Sequence, residues 1–387
     1  MPEATRPVIL GQFGPPTLAC IRSWGRAGMS TGMICVQEKQ HTVPGSRYLS
    51  QYCLLPKDRL YTVEGLRVIA GFLESFRASG LTCINEKIAC WIQENRASLP
   101  AKVKIWLPSI ESIQNVLSKE QQIQTAAECG LPVLPTYFID SLGYDLTRIE
   151  QGHYPLCIRP AGRGTISPGF KVKLINNPCE FRNFLSRVNV FQAKIIAQPF
   201  MNLPNMVIHG ARSHGGPDIK VQGFLVERKF EGVTLTIKAC KVGSDLLEKC
   251  AAFTEKFDVT GPYHFEFLFD PRKQESWFME LNARLGGTTA KVLACGYDEP
   301  MLALQAYGAA EKSLACLNTK SVTSRISLMK YILQSISGDI EPFDYPSERL
   351  SARLIHSIVI FLTYRDDVLS FKDVSGTLSL CRQLEIV

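Results

Sequence analysis

The 387 residues are 45% hydrophobic and 20% charged, with 28 Gly and 22 Pro, which is ordinary for a soluble globular protein of two or three domains. A formal charge of +7 arises from 43 basic and 36 acidic residues dispersed along the chain, which suits an anionic small ligand and speaks against a nucleic acid partner. Thirteen cysteines without a Cys-x-x-Cys pair speak against a zinc site or a disulfide framework.

The first segment, "RPVILGQFG", is a β-rich run ending in a glycine turn. A mixed segment, "PPTLACIRSWGRAG", leads to a second apolar run, "MSTGMICVQ". The opening residues, "MPEATRPVILG", lack the apolar core of a signal peptide. Leu66, Ile69, Leu73 and Phe76 then recur at helical spacing, with Gly80 closing the helix. This β-α-β-α order predicts a small open parallel sheet flanked by helices up to about residue 117. The turn "GQFGPP" lacks G-x-G-x-x-G, so no dinucleotide site is inferred.

From Ser118 the pattern changes. "SKEQQIQTAAECG" opens with a capping box of Ser118 and Gln121 and stops at Gly130. "LPVLPTYFI" leads to "YPLCIRPAGRGTISPGFKVKLI", two strands joined by a loop with Gly162, Arg163, Gly164, Thr165, Ser167 and Gly169. Such a loop is either a plain turn or a backbone cradle for phosphates. A second capping box, Asn177 with Glu180 and Pro178 at the first helical position, precedes the strands "KIIAQPFM", "IKVQGFLVE" and "VTLTIKAC". The segment "HGARSHGG", with His209 and His214, reads as a mobile loop. The region 118–310 is thus α+β.

The stretch "YHFEFLFDPRKQESWFMELNARLGG" holds two acids inside apolar runs. Strict alternation puts His264, Glu266 and Leu268 on one strand face, and Phe278, Glu280 and Asn282 together on one face of the next strand. With "DPRKQES" as a hairpin turn centred near Lys273, Glu266 opposes Glu280; an offset turn would send one of them to solvent. Opposed carboxylates repel unless a cation such as Mg²⁺ lies between them. His264 shares the Glu266 face as a supporting group. In the remaining tail no run approaches the ~18 residues of a membrane span. "SARLIHSIVIFLTYRDD" reads there as a strand packed on the preceding domain, and no chemistry is assigned to it.

The order of these features resembles the ATP-grasp fold: Lys119 opening a helix, "GLPVLPT", "YPLCIRP" with its glycine loop, "IIAQPFM", then E…E-x-N-x-R-x-G-G with the two acids 14 residues apart. The segment before 118, with "SRYLSQYCLLPKD", is similar to the pre-ATP-grasp domain of the D-aspartate ligase and amino-acid ligase group. The resemblance implies an α/β parallel-sheet domain (1–117), two α+β ATP-grasp subdomains (118–195 and 196–310) and a C-terminal extension (311–387). It also implies ATP and Mg²⁺ as cofactors, with Mn²⁺ as a substitute. By the same resemblance Glu266, Glu280 and Asn282 hold the metal. Lys119 and Arg159, the latter in place of a lysine, hold the α- and β-phosphates. The loop with Gly162, Arg163, Gly164 and Thr165 covers the phosphates, and Gln198 and Phe200 flank Pro199 in a hinge that reads adenine. Asn205 is the ribose candidate. Arg284 faces the transferring phosphoryl group, while Arg228 either reaches a phosphate or ends a solvated strand.

The implied activity is a carboxylate–amine ligase working through an acyl phosphate. Bicarbonate activation and a non-catalytic nucleotide-binding module are the rivals. The expected partners are a small carboxylate and an amine, amino acids or a carrier-bound acyl group among them, with a second copy of the chain as a further option. A cytoplasmic location is expected.

Overall fold

Burial of apolar strands between helices organises the first sheet. In the computed structural model, which describes residues 5–37, 43–140, 149, 152–161, 165–191, 193–311, 320–338 and 342–383, five parallel strands pair in the order β3-β2-β1-β4-β5. They are β1 (Pro7–Gly11), β2 (Thr31–Gln37), β3 (Leu49–Pro56), β4 (Gly80–Cys83) and β5 (Lys104–Ile105). β1 and β4 are wholly buried, as continuous apolar runs in a covered parallel sheet must be. β3 is the edge, and it leaves Tyr52 and Leu54 exposed, so no alternation marked it as a strand.

One helix in this sheet ends earlier than the spacing predicts. It runs Val63–Ser75 from a Thr62 cap and stops at Phe76, after which Arg77 takes φ 53°. Gly80 does not close it but opens β4. There the Trp106 ring lies 2.3 Å from where a Cβ would stand, so only glycine fits.

The next strands are β6 (Tyr137–Ile139), β7 (Leu156–Pro160), β8 (Thr165–Ser167), β9 (Lys173–Ile175), β10 (Asn189–Phe191) and β11 (Ile195–Pro199). Four of them form an antiparallel sheet, β6-β11-β7-β9, while β8 pairs with β10. The helix Pro178–Leu185 covers the sheet with Phe181 and Phe184. Its cap is the expected one, Asn177 Oδ1 accepting from Glu180 N, but the Glu180 carboxylate reaches back to Asn176 N and not to the Asn177 backbone. At the other expected box Ser118 accepts from Gln121 N, but the Ser118 amide bonds Asn115 O instead of the Gln121 side chain.

A seven-stranded sheet, β16-β15-β12-β13-β14-β17-β18, completes the fold. Its strands are β12 (Asn205–Arg212), β13 (Asp218–Phe230), β14 (Val233–Cys240), β15 (Gly261–Asp270), β16 (Glu275–Asn282), β17 (Val322–Thr323) and β18 (Arg365–Asp366). The helix Ser244–Lys256 packs Phe253 against Phe265 and Phe278, on the face away from the two acids. The expected strand in "SARLIHSIVIFLTYRDD" is a helix, Leu350–Thr363, followed by the two residues of β18. The apolar run misled because the helix is apolar on its outer face. "HGAR" is strand rather than loop: His209 lies within β12 and is fully buried.

Candidate active site

The hairpin β15–β16 fixes the central pair. Asp270 Oδ1 accepts from the amides of Arg272 and Lys273 and pins the turn, so that Asp270 pairs with Glu275 and Phe267 with Phe278. Continued without a break, that register would bring Glu266 opposite Met279. A bulge at Met279 inserts one extra residue, and Glu266 pairs with Glu280, then His264 with Asn282. The expected opposition is therefore present, but strict alternation is not. Phe278 belongs to the buried core and not to the face of Glu280 and Asn282.

Both acids line a cavity of about 360 Å³ between the four-stranded and seven-stranded sheets. Lys119 and Arg159 line it too, with Gln198, Phe200, Asn205 and Lys229. Helix Lys119–Glu128 is clamped to β16 by the Gln122 amide, whose Oε1 accepts from Leu281 N at 2.6 Å and whose Nε2 donates to Leu281 O at 3.1 Å. That clamp sets Lys119 Nζ 3.1 Å from Glu280 Oε2. Arg159 donates to Gln198 Oε1 at 3.1 Å, and Gln198 in turn donates to Thr136 Oγ1 at 2.9 Å. Asn282 Nδ2 donates to Glu280 Oε1 at 3.2 Å.

Electrostatics split the two carboxyls. Burial, then the nearby Glu280 charge, pushes Glu266 above the usual carboxylate range. Burial acts on Glu280 as well, yet Lys119 and Arg159 outweigh it and hold that group below its ordinary value. The Glu266 side chain remains about 32% exposed, and that opening is the cavity, so water reaches it there. An acid pair of this kind, with Lys119 on one member and an amide beside it, has the donor chemistry of a hard divalent cation site.

No protein-family model matches the sequence, and no curated protein matches it. Solved structures do. N5-carboxyaminoimidazole ribonucleotide synthetase in its ADP complex aligns with a TM-score of 0.63 at 12% identity, over 87% of this chain and 86% of that one. Biotin carboxylase from Campylobacter jejuni aligns with a TM-score of 0.61 at 16% identity, over 81% and 74%. L-amino acid ligase from Bacillus licheniformis aligns with a TM-score of 0.56 at 15% identity, over 78% and 74%. The chain has the ATP-grasp fold.

Within this ATP-grasp cleft several expected residues stand elsewhere. Arg228 is buried away from the cavity, donating to Glu348 Oε2 and to the Tyr331 hydroxyl at 3.0 Å. β13 slips register on both sides of Arg228, and its neighbour Lys229 lines the cavity in its place. Lys229 Nζ donates to Leu203 O at 2.8 Å and to Asn205 Oδ1 at 3.2 Å, and burial holds its pKa down to about 8. Asn205 is thereby engaged. The Phe200 amide cannot read a base, because it donates to Pro155 O at 2.8 Å. Arg284 lies beside Asn282, its Nη2 3.4 Å from Oδ1, and its Nε pairs with Glu86, at the start of the helix Glu86–Glu94 that follows β4.

Thr165 lies in β8, while Gly162, Arg163 and Gly164 fall outside the described residues. Lys171 and Val172, at the far end of that segment, do line the cavity. The tail contributes as well: Phe343 closes the cavity edge-on against Phe200, with ring centroids 5.5 Å apart. No motif marks Phe343. Alternation in "VERKF" could not have found Lys229, because the register slips on both sides of Arg228.

Behind the acids lies a buried cluster of His209, His264 and Glu299. His209 Nδ1 is 2.7 Å from Glu299 Oε1, and its Nε2 is 3.0 Å from the Thr288 hydroxyl. Both ring nitrogens of His209 are thus hydrogen-bonded, one to a carboxylate and one to a hydroxyl. His264 Nε2 stands 3.8 Å from Glu266 Oε1. Its ring occupies the space a Cβ on Gly286 would need, 2.4 Å away. Gly286, the first glycine of "RLGG", therefore serves the packing of this histidine.

Proposed function

We propose that the chain is an ATP-dependent ligase that phosphorylates a substrate carboxylate and passes the resulting acyl group to an amine, releasing ADP and phosphate. The observation that carries this is the opposition of Glu266 and Glu280 on the floor of a cavity ringed by Lys119, Arg159 and Lys229. With Lys171, four cations line this cavity and suit a polyphosphate, Arg159 as a planar fork and the lysines as point charges. Glu266, Glu280 and Asn282 would hold Mg²⁺ or Mn²⁺, which when bound neutralises charge on the transferring phosphoryl group.

The chain's own residues do the remaining work. Gln198 fixes Arg159, and Gln122 fixes the strand under Lys119, so both cations are positioned before a ligand arrives. Phe200 and Phe343 offer apolar walls at the end away from the acids, suited to a planar base. Arg284 stands on the other side, toward the first domain, where an anionic acid substrate would meet it. A cleft closed in this way shields an acyl phosphate from water.

The likeness to an L-amino acid ligase supports the amide-forming reading. Bicarbonate as the activated acid is the second reading. It is favoured by the likeness to a 2-oxoglutarate carboxylase biotin carboxylase domain in complex with MgADP and bicarbonate. Hydroxylamine supplied in place of the amine separates these. The ligase reading expects an acid-dependent hydroxamate with ADP accumulating, and Glu280→Ala removing both in a folded protein. AMP with pyrophosphate overturns the acyl-phosphate route, and ADP release that needs only bicarbonate favours the second reading.

A further inference from the structure

Helices Arg325–Ser337 and Leu350–Thr363 form an antiparallel pair on the outside of the seven-stranded sheet. Arg325, at the start of the first, donates to Phe361 O and Tyr364 O at the end of the second, at 3.1 and 3.3 Å. Leu328, Tyr331 and Ile360 seat the pair on Phe230 and Leu235. The outward faces are the unusual part. On the first helix Met329, Leu333 and Ile336, at helical spacing opposite Tyr331, are 49%, 66% and 60% exposed. On the second, Ile355, Ile358, Val359 and Leu362 are 61%, 58%, 49% and 73% exposed.

The second helix is inverted relative to a solvated surface helix. Its inward face carries Arg353 and Ser357, both buried, and its outward stripe is mainly apolar, with exposed Ser351 one turn before Ile355 and exposed His356 at its flank. Arg353 is its single charged residue. The two stripes expose on the order of 700 Å², more than the ~300–600 Å² of the largest patch on a typical monomer and close to the ~800 Å² each partner gives to a stable interface.

We infer that this helix pair is the interface through which two copies of the chain associate, stripe against stripe about a twofold axis. Two aliphatic stripes at helical spacing offer the ridges and grooves that helix layers use when they pack. Charge stands at the flanks of the stripes, where Lys330 is exposed on the first helix and His356 pairs with Glu348 beside the second. A lipid surface fits less well, since the stripe carries no Trp or Tyr and the helices present protein rather than a basic, hydrated face on the other side.

Sedimentation velocity on the full chain tests this, with Leu333→Glu and Ile355→Glu as separate variants. Both positions are exposed, so the fold, read by circular dichroism, should persist. The wild type is expected to dimerise with rising concentration, and each glutamate to weaken the association by about 100-fold, since the symmetry buries it twice. A wild type that remains monomeric at its highest attainable concentration overturns the inference, as does a dimer indifferent to both substitutions. So does wild-type binding to phosphatidylcholine–phosphatidylserine vesicles that both variants lose while their oligomeric state is unchanged.

Discussion

Glu266 and Glu280 face one another across a hairpin, yet they carry their charge unequally, because Lys119 and Arg159 stand on the Glu280 side. Another cation lines the same cavity. Lys229 is held to about 8 mainly by burial, against the pull of Glu266 and Asp344 in the other direction. The sign follows from linkage. A lysine depressed in the fold binds its proton less tightly than in the unfolded chain, so the unliganded protein gains stability as pH rises from about 8 toward the unfolded lysine value near ~10.4. An anionic ligand favours the charged form and is expected to bind more weakly as pH rises through 8. In Lys229→Met, nucleotide affinity should fall about 10-fold at pH 7 and lose that pH step, measured by titration calorimetry between pH 6.5 and 9. A mutant with an unchanged pH profile would place the titration elsewhere.

Elements carry the site as much as residues do. The acid pair was legible in the sequence because two carboxylates 14 residues apart flank a turn, but simple parity put Phe278 on the wrong face. The turn sits half a residue early, held by Asp270, and the bulge at Met279 restores the pairing. A bulge has no composition of its own, so nothing in "WFMELN" announces it. Arg228 and Lys229 were exchanged for a similar reason: two adjacent basic residues on a strand look alike until the faces are known. The clamp between helix Lys119–Glu128 and β16 was hidden in "SKEQQIQ", where Gln122 looks like any helical surface residue although it is buried. Removing its amide leaves Leu281 N without its side-chain acceptor. Gln122→Ala should cost about 2–4 kcal/mol, from three lost buried hydrogen bonds, to Leu281 N, Leu281 O and Val116 O, and the cavity left behind, seen as a lower urea midpoint. Because Lys119 is no longer held over Glu280, KM for ATP should rise as well. Loss of stability with KM unchanged would show that Lys119 positions itself.

At the scale of the whole molecule, the C-terminal tail returns to both earlier regions. β17 and β18 extend the seven-stranded sheet, Phe343 walls the cavity, and the segment around Asp373 reaches the first sheet domain. Arg22, on the helix Pro15–Arg26, donates to Asp373 Oδ2 at 2.8 Å, and both side chains are almost fully buried. Arg47 N and the Ser46 hydroxyl donate to the same carboxylate, at 2.9 and 2.8 Å. Burial alone would raise Asp373, but these donors prevail and lower it. By linkage, the stability that depression supplies is present above the unfolded aspartate value near ~3.9 and is lost as pH falls below it through the lowered native value. Desolvation makes such a pair an uncertain net gain, whereas removing one partner strands a buried charge. Arg22→Ala is therefore expected to cost about 3–5 kcal/mol at pH 7, and Arg22→Met with Asp373→Leu together to cost much less, both read from chemical denaturation. The single mutant should also approach the wild type in acid, where Asp373 is neutral in both. If the single and double mutants lose equal stability at every pH, the contact is packing and not charge.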